Sequence, residues 1–358
     1  MKNGVRYALF LAVLVAALLE ILTRLPAFTP SFEMFGLQIL LDREQLYRIQ
    51  PECREDINAF GLRDDPISPK PDDVKRILFY GDSFVLGLNV ASELTLPNQL
   101  ERRMDRTDVV NLGSHGFGPD QALLRFIDEA DDLDPDAVIL ALFPGNDFAD
   151  VVKNRLFRID EDGNVVRTES NPVSEALPRS SALYWIDYLR YRWRLRGQYD
   201  STYEYVFGTG DRTGERYLEL FKVLFDDTVD PDFLLNPEAQ RHQDSLTLTK
   251  EVLKRFRDEC AQRDLPFTVV VIPSYFNVQD RRHWASLQVP RDRLFAYENA
   301  ALQMCRVLGI PAINLYPDLL KQREGGPLFN QSDLHLTERG NDVAASIILD
   351  HLISPVSR

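Results

Sequence analysis

The first strong pattern is an apolar run, YALFLAVLVAALLEILT, from Tyr7 to Thr23, preceded by Lys2 and Arg6. As a helix it would span about 26 Å at 1.5 Å per residue, slightly short of a hydrocarbon core of about 30 Å. Arg6 and Arg24 can snorkel outward, and Glu20 lies near the far end, where a charge costs least. Basic residues ahead of the run predict an N-terminus-in orientation, with everything after Arg24 outside the cytoplasm. The following TRLPAFTPSF carries bulky residues and no small-residue cleavage site, so residues 1–25 read as an uncleaved membrane anchor.

Residues 26–74 carry several prolines and read as an irregular extended lead. A regular alternation then begins. Arg76–Tyr80, Val109–Leu112 and Ala137–Phe143 are continuous apolar runs, separated by helical patterns near Leu96–Met104 and Asp120–Asp131. The alternation breaks over about 151–240, where RLFRIDEDGNVVR reads as a hairpin, SALYWIDYLRYRWRLR as an aromatic, basic helix and TYEYVFGTGDRTG as a loop. It resumes with a helix over Leu246–Arg263, strand Phe267–Ile272, a helix over Leu294–Leu308, strand Ala312–Leu315 and a last helix over Gly340–Leu352. Apolar runs bounded by turns and alternating with helices predict an α/β fold. The expected architecture is a three-layer α/β/α domain over 75–355, with about five parallel strands and an insertion at about 151–240.

The 358-residue length admits one large core with insertions. A formal charge of -14 excludes a nucleic-acid partner, because phosphate contacts need a concentrated basic surface. Cys53, Cys260 and Cys305 are too few for a disulfide framework; they read as reduced and buried, with Cys260–Cys305 the pair to examine. No H-E-x-x-H or other close ligand spacing appears, and no glycine pattern for phosphates, so neither a metal nor an organic cofactor is expected.

In open parallel sheets, functional groups collect at the carboxyl ends of the strands. Gly81-Asp82-Ser83-Phe84 follows the first core strand, Asn111-Leu112-Gly113-Ser114-His115-Gly116 the second and Gly145-Asn146-Asp147 the third, while Asp333-Leu334-His335 precedes the last helix. A serine hydroxyl needs a base to become a nucleophile, and His335 can serve Ser83 near neutral pH. Asp333 can accept the other ring N–H and fix the tautomer. The Ser83 and Gly116 backbone N–H groups and the Asn146 amide can face a developing oxyanion. Asp82 and Asp147 read as loop ties beside the pocket and His115 as a pocket wall, whereas His242, His283 and His351 read as surface residues. The aromatic cluster Tyr184, Trp185, Tyr188, Tyr191 and Trp193 suits either core packing or a lid over the rim, and Arg190, Arg192, Arg194 and Arg196 either a solvated face or an anionic ligand.

These blocks resemble the SGNH/GDSL hydrolase superfamily, whose marker Ser, Gly, Asn and His correspond to Ser83 in YGDSF, Gly116 in NLGSHGFG, Asn146 in FPGND and His335 in SDLHLTERG. INAFGLRD (57–64) and GPDQALL (118–124) are similar to segments of membrane-anchored bacterial members. The resemblance covers about 57–150 and 265–350. Many members carry the aspartate three residues before the histidine, where this chain has Ser332; the spacing of Asp333 to His335 is instead similar to that of polysaccharide O-acetylation enzymes of the alginate-modifying branch. The resemblance implies a serine esterase acting through an acyl-serine on acylated cell-envelope carbohydrate, with the catalytic domain on the periplasmic side of a bacterial inner membrane. An exopolysaccharide O-acetyltransferase, a lipase or lysophospholipase, and a non-catalytic polysaccharide-binding scaffold are the alternatives.

Overall fold

The computed structural model describes residues 2–25, 31–177, 184–196, 231–280, 282, 285 and 288–353. Its centre is a five-stranded parallel sheet of β4 (Lys75–Gly81), β5 (Thr107–Gly113), β6 (Ala137–Leu142), β9 (Phe267–Val271) and β10 (Ala312–Asn314), in the spatial order β10-β9-β6-β4-β5. Counting only these strands in chain order, this is the flavodoxin-like 2-1-3-4-5 arrangement. The order reverses between β4 and β6, and a crevice opens beyond their carboxyl ends.

The continuous apolar runs are strands because both faces of the sheet are covered. In β4, Leu78 and Tyr80 face one side, while Ile77 and Phe79 face the other. The first side packs against α4 (Pro119–Leu133), α5 (Pro144–Asn154), α9 (Gln240–Gln262) and α11 (Ala296–Leu308), through Phe126, Val151, Phe256 and Met304 among others. The second packs against α2 (Ser83–Leu86), α3 (Leu96–Glu101), α10 (Tyr275–Val278), α12 (Tyr316–Gln322) and α13 (Glu338–Ile353), through Val85, Leu100, Val278, Leu319 and Ile348. Fully burying one such side chain contributes about 1.5–3 kcal/mol.

Residues 31–49 are more ordered than an irregular lead. They form an antiparallel sheet of β1 (Ser31–Met34), β2 (Leu37–Asp42) and β3 (Leu46–Ile49). Leu37, Ile39 and Leu41 alternate inward and join the core on the first side of the central sheet, so the small sheet is held by tertiary burial. Its strands are too short to advertise themselves in the sequence.

The expected hairpin in the insertion is present as β7 (Phe157–Ile159) and β8 (Val165–Arg167). It is followed by α6 (Pro172–Ala176), α7 (Tyr184–Arg196) and α8 (Pro231–Leu235); the loop expected over TYEYVFGTGDRTG lies outside the described residues. The described part of the insertion leans on the β1–β3 sheet: Arg167 pairs with Glu44, and the Asn171 Nδ2 donates to the Arg43 carbonyl at 2.6 Å. The Trp185 N–H meets Glu20 at 3.3 Å, at the end of α1 (Lys2–Leu22). Tyr188 is buried as expected of core packing, but its neighbour Leu189 is 52% exposed.

At 1.5 Å per residue α1 is about 32 Å long. Residues Gly4–Leu22 have a mean hydropathy of 2.3 and are unburied, so the helix is long and apolar enough to cross a membrane. All three cysteines are free; Cys260 and Cys305 lie in the core, where burial pushes each thiol up to about 12. His242 corrects the surface reading of the isolated histidines. It is 6% exposed, with its ring edge-on to Phe233 at 5.2 Å. His351 is exposed, and His283 lies outside the described residues.

A tight crossing fixes where β4 hands over to α2. A Cβ at Gly113 would sit 2.2 Å from the Leu86 nitrogen, and one at Gly81 would sit 2.4 Å from Val85 Cγ2. The backbone of α2 therefore lies directly on the end of β5. Gly113→Ala is expected to destabilise the protein by about 3 kcal/mol, because backbone rather than a flexible side chain must move. Urea unfolding of variant and parent measures it, and an unchanged midpoint would refute the crossing.

Candidate active site

Ser83 is the first residue of α2 and lies immediately beyond β4. Asp82 caps this short helix, its Oδ1 accepting the Phe84 N–H at 2.9 Å. Gly87 ends the helix with φ +65 and returns its N–H to the Ser83 carbonyl. Buried Arg63 steadies the same turn from outside, donating to the carbonyls of Leu86, Gly87 and Val90 while Asp56 balances its charge. The sequence Gly-Asp-Ser thus supplies close approach, cap and hydroxyl in three consecutive positions.

His335 comes from a loop 252 residues later, and its Nε2 lies 2.7 Å from the Ser83 Oγ. A tight turn presents it. The Asn330 N–H donates to the His335 carbonyl at 2.8 Å, and the Leu334 N–H donates to the Asn330 carbonyl at 2.9 Å. Leu334 takes φ +65 to make that turn, a left-handed conformation a branched side chain adopts only when its surroundings impose it. Asn89 ties the turn to the serine side by donating to the Leu336 carbonyl at 2.8 Å, and the Phe84 ring lies 4.9 Å from the imidazole.

Asp333 reaches the other ring nitrogen less closely, with Oδ1 3.7 Å from His335 Nδ1. That is an ion-pair distance and too long for a hydrogen bond. The same oxygen accepts the His335 backbone N–H at 3.0 Å, and Oδ2 accepts from Asn330 at 3.2 Å. Asp333 therefore shapes the turn as well as facing the imidazole.

Asn146, in the first turn of α5 after β6, is 2% exposed, and its Oδ1 has no partner among the described residues. Gly116 lies in the loop after β5 with φ +69, a conformation suited to glycine. That loop is joined to the serine strand by the Ser114 N–H, which donates to the Gly81 carbonyl at 3.1 Å.

Ser83, Asn146, Asp333 and His335 line one cavity of about 80 Å³ at the crevice where the strand order reverses. Phe84, Phe143, Ser274, Tyr275, Phe276 and Leu334 complete its wall. Sequence reasoning missed Ser274, Tyr275 and Phe276, although they follow β9 and a scan of every strand end would have reached them. Gly116, expected to face the oxyanion, is not among the residues lining the cavity, and three expected pocket residues also lie elsewhere. His115 places its ring edge-on to Phe35 at 4.8 Å, and Asp82 and Asp147 are buried and do not line the cavity. The described insertion contributes nothing to the cavity lining.

No protein-family model matches the chain, and no curated protein sequence does either. Among solved structures, it is similar to a lipase/acylhydrolase from Enterococcus faecalis, at 12% identity over 78% of this chain and 95% of that one, with a TM-score of 0.40. It is also similar to an acetyl xylan esterase, at 12% identity over 78% of this chain and 100% of that one, TM-score 0.40. A GDSL-like lipase from Bacteroides thetaiotaomicron VPI-5482 gives 13% identity over 80% and 91% of the two chains, TM-score 0.39.

Asp82 and Asp147, next in sequence to Ser83 and Asn146, form an acidic cluster with Asp120 and Asp150, all buried. Burial, and then the neighbouring Asp82 and Asp150, push the Asp147 carboxyl well above the usual range, although its Oδ2 accepts the Phe143 N–H at 2.6 Å. Burial likewise raises Asp120 from 3.8 to about 7, against the opposing hydrogen bond from Asn154 at 3.0 Å. The folded protein thus keeps the Asp120 proton where the unfolded chain releases it. This contribution to stability is full below about pH 4 and is lost as pH rises toward 7. Asp120→Asn keeps an acceptor for Asn154 and cannot ionise, so its Tm relative to the parent should rise by about 5 °C between pH 5 and pH 8. A constant difference across that range would contradict the buried, protonated carboxyl.

Proposed function

We propose that the chain is a serine esterase that works through an acyl-Ser83 intermediate. The observation that carries this reading is the 2.7 Å contact between His335 Nε2 and Ser83 Oγ, inside a cavity shared with the buried amide of Asn146. The imidazole is in reach to take the hydroxyl proton as Oγ attacks an ester carbonyl. The N–H groups of Ser83 and Gly116 and the Asn146 amide hold the resulting oxyanion. The imidazolium then protonates the leaving alcohol as the ester C–O bond breaks, giving the acyl-serine. Neutral His335 next deprotonates water, which attacks the acyl carbonyl and releases the carboxylic acid and free Ser83. Asp333, 3.7 Å from Nδ1, faces the ring and balances the positive charge that forms on it in the reaction.

The aromatic wall of Phe84, Phe143, Tyr275 and Phe276 and the volume of about 80 Å³ favour a short acyl group, acetyl above all. A long chain would have to run out over the surface. The substrate class we assign is acetylated carbohydrate of the cell envelope. Two features support it: an apolar N-terminal helix able to hold the domain at a membrane, and the similarity of the Asp333–His335 spacing to polysaccharide O-acetylation enzymes. A sugar hydroxyl replacing water at the acyl-enzyme would make the same site a transferase.

A fluorophosphonate probe should label the purified full-length chain at Ser83, and Ser83→Ala or His335→Ala should abolish labelling. Turnover of activated acetyl esters should fall by about 10⁴-fold in either variant and by about 10²-fold in Asn146→Ala. Rates across esters of increasing length should decline from acetyl onward. Absence of labelling in the parent would leave a carbohydrate-binding scaffold, and rates that rise with chain length would point to a lipase.

A further inference from the structure

We propose that Tyr47, in the small sheet ahead of the α/β domain, is a positioning residue for the oxyanion. It acts by holding the peptide between His115 and Gly116. The inference rests on the esterase reading above.

The Tyr47 hydroxyl donates to the His115 carbonyl at 2.6 Å, a short bond for a neutral donor and acceptor. That carbonyl belongs to the same peptide unit as the Gly116 N–H. A trans peptide is planar, with its C=O and N–H pointing in opposite directions, so fixing one end fixes the other. The unit contains no cis bond, and Gly116 follows it at φ +69, a glycine-suited conformation that a free loop would sample among many others. The bond to Tyr47 acts as the stop. It also draws electron density toward the carbonyl oxygen, which makes the opposite N–H a stronger donor.

The hydroxyl is itself held in place. Tyr47 is 1% exposed, and its ring lies edge-on to Phe117 at 5.2 Å, one residue beyond Gly116. Its register opposite Leu41 in the sheet sets which face it projects from. Two more contacts join the sheet to the same loop and its helix: the Gln121 Nε2 donates to the Gln45 carbonyl at 2.9 Å, and Phe35 meets the His115 ring. An element with no residue in the cavity thus holds the peptide whose N–H the esterase reading assigns to the oxyanion.

Tyr47→Phe keeps the ring and removes the hydroxyl. With an acetyl ester as substrate, kcat should fall about ten-fold while KM changes less than about two-fold, because the donor matters mainly once the oxyanion forms. Affinity for a trifluoromethyl ketone, whose serine adduct carries that oxyanion, should weaken by about the same factor. The pH-rate profile should keep its shape, since no titrating group of the site is removed. Arg48→Ala, exposed on the same strand, serves as the control and should leave all three unchanged. The proposal is overturned if Tyr47→Phe turns over like the parent, or if kcat, KM and Tm all deteriorate together. A parent enzyme that neither labels at Ser83 nor hydrolyses esters would remove the esterase reading and this inference with it; an active parent with an unaffected Tyr47→Phe removes the inference alone.

Discussion

The contact on which the site depends is backbone against backbone, where α2 crosses the end of β5 without room for a Cβ at Gly113. Everything about Ser83 follows from that crossing. It turns the chain sharply out of β4, so that the first residue of α2 stands at the sheet's rim instead of continuing into the core. Asp82 can then cap the turn, and the hydroxyl lies beside β6, where the strand order reverses. A larger residue at Gly81 or Gly113 would lift α2 off the sheet and carry Ser83 with it.

The base is delivered differently. His335 is held by a compact turn whose geometry is set by Asn330 and Asp333 and by the left-handed Leu334. That turn is fastened to the rest by Gln279, whose Oε1 accepts the N–H groups of Leu328 and Phe329 at 3.1 Å, and by Asn89. A Cβ at Gly340 would lie 2.0 Å from the Leu328 carbonyl, so α13 also presses on the turn from behind. Two rigid mounts from opposite ends of the chain therefore meet at 2.7 Å, and mutual packing through Phe84 keeps them in register.

How much of this could be read in advance follows from how each element is stabilised. The parallel strands were legible because burial on both faces leaves uninterrupted apolar runs, as in Arg76–Tyr80. Ser83, Asn146 and His335 were legible because small and polar residues crowd strand ends and turns, where an α/β sheet leaves room for chemistry. The β1–β3 sheet was not, since it is held by packing against distant helices and its strands alternate over only four to six residues. His242 was misread for a related reason: its neighbours Gln240, Arg241, Gln243 and Asp244 are polar, and only the folded chain brings Phe233 against it. Tyr275 and Phe276 look like core aromatics in sequence, and what makes them cavity wall is the strand they follow.

The buried acidic cluster would at first sight oppose the proposed chemistry, because Asp82 and Asp147 adjoin Ser83 and Asn146 in sequence and an oxyanion would form nearby. The environment of Asp147 lessens the conflict. Ionising Asp147 in a site without solvent, beside other carboxyls, costs more than keeping its proton, and its acidity is weakened accordingly. Lys153 pairs with Asp150 of the cluster. The Asp147 carboxyl accepts the Phe143 N–H and so holds the turn that carries Asn146, and its raised pKa favours the uncharged form there. Burial thus favours the protonated form of the one carboxyl that braces the turn carrying Asn146, which lessens its repulsion of an oxyanion.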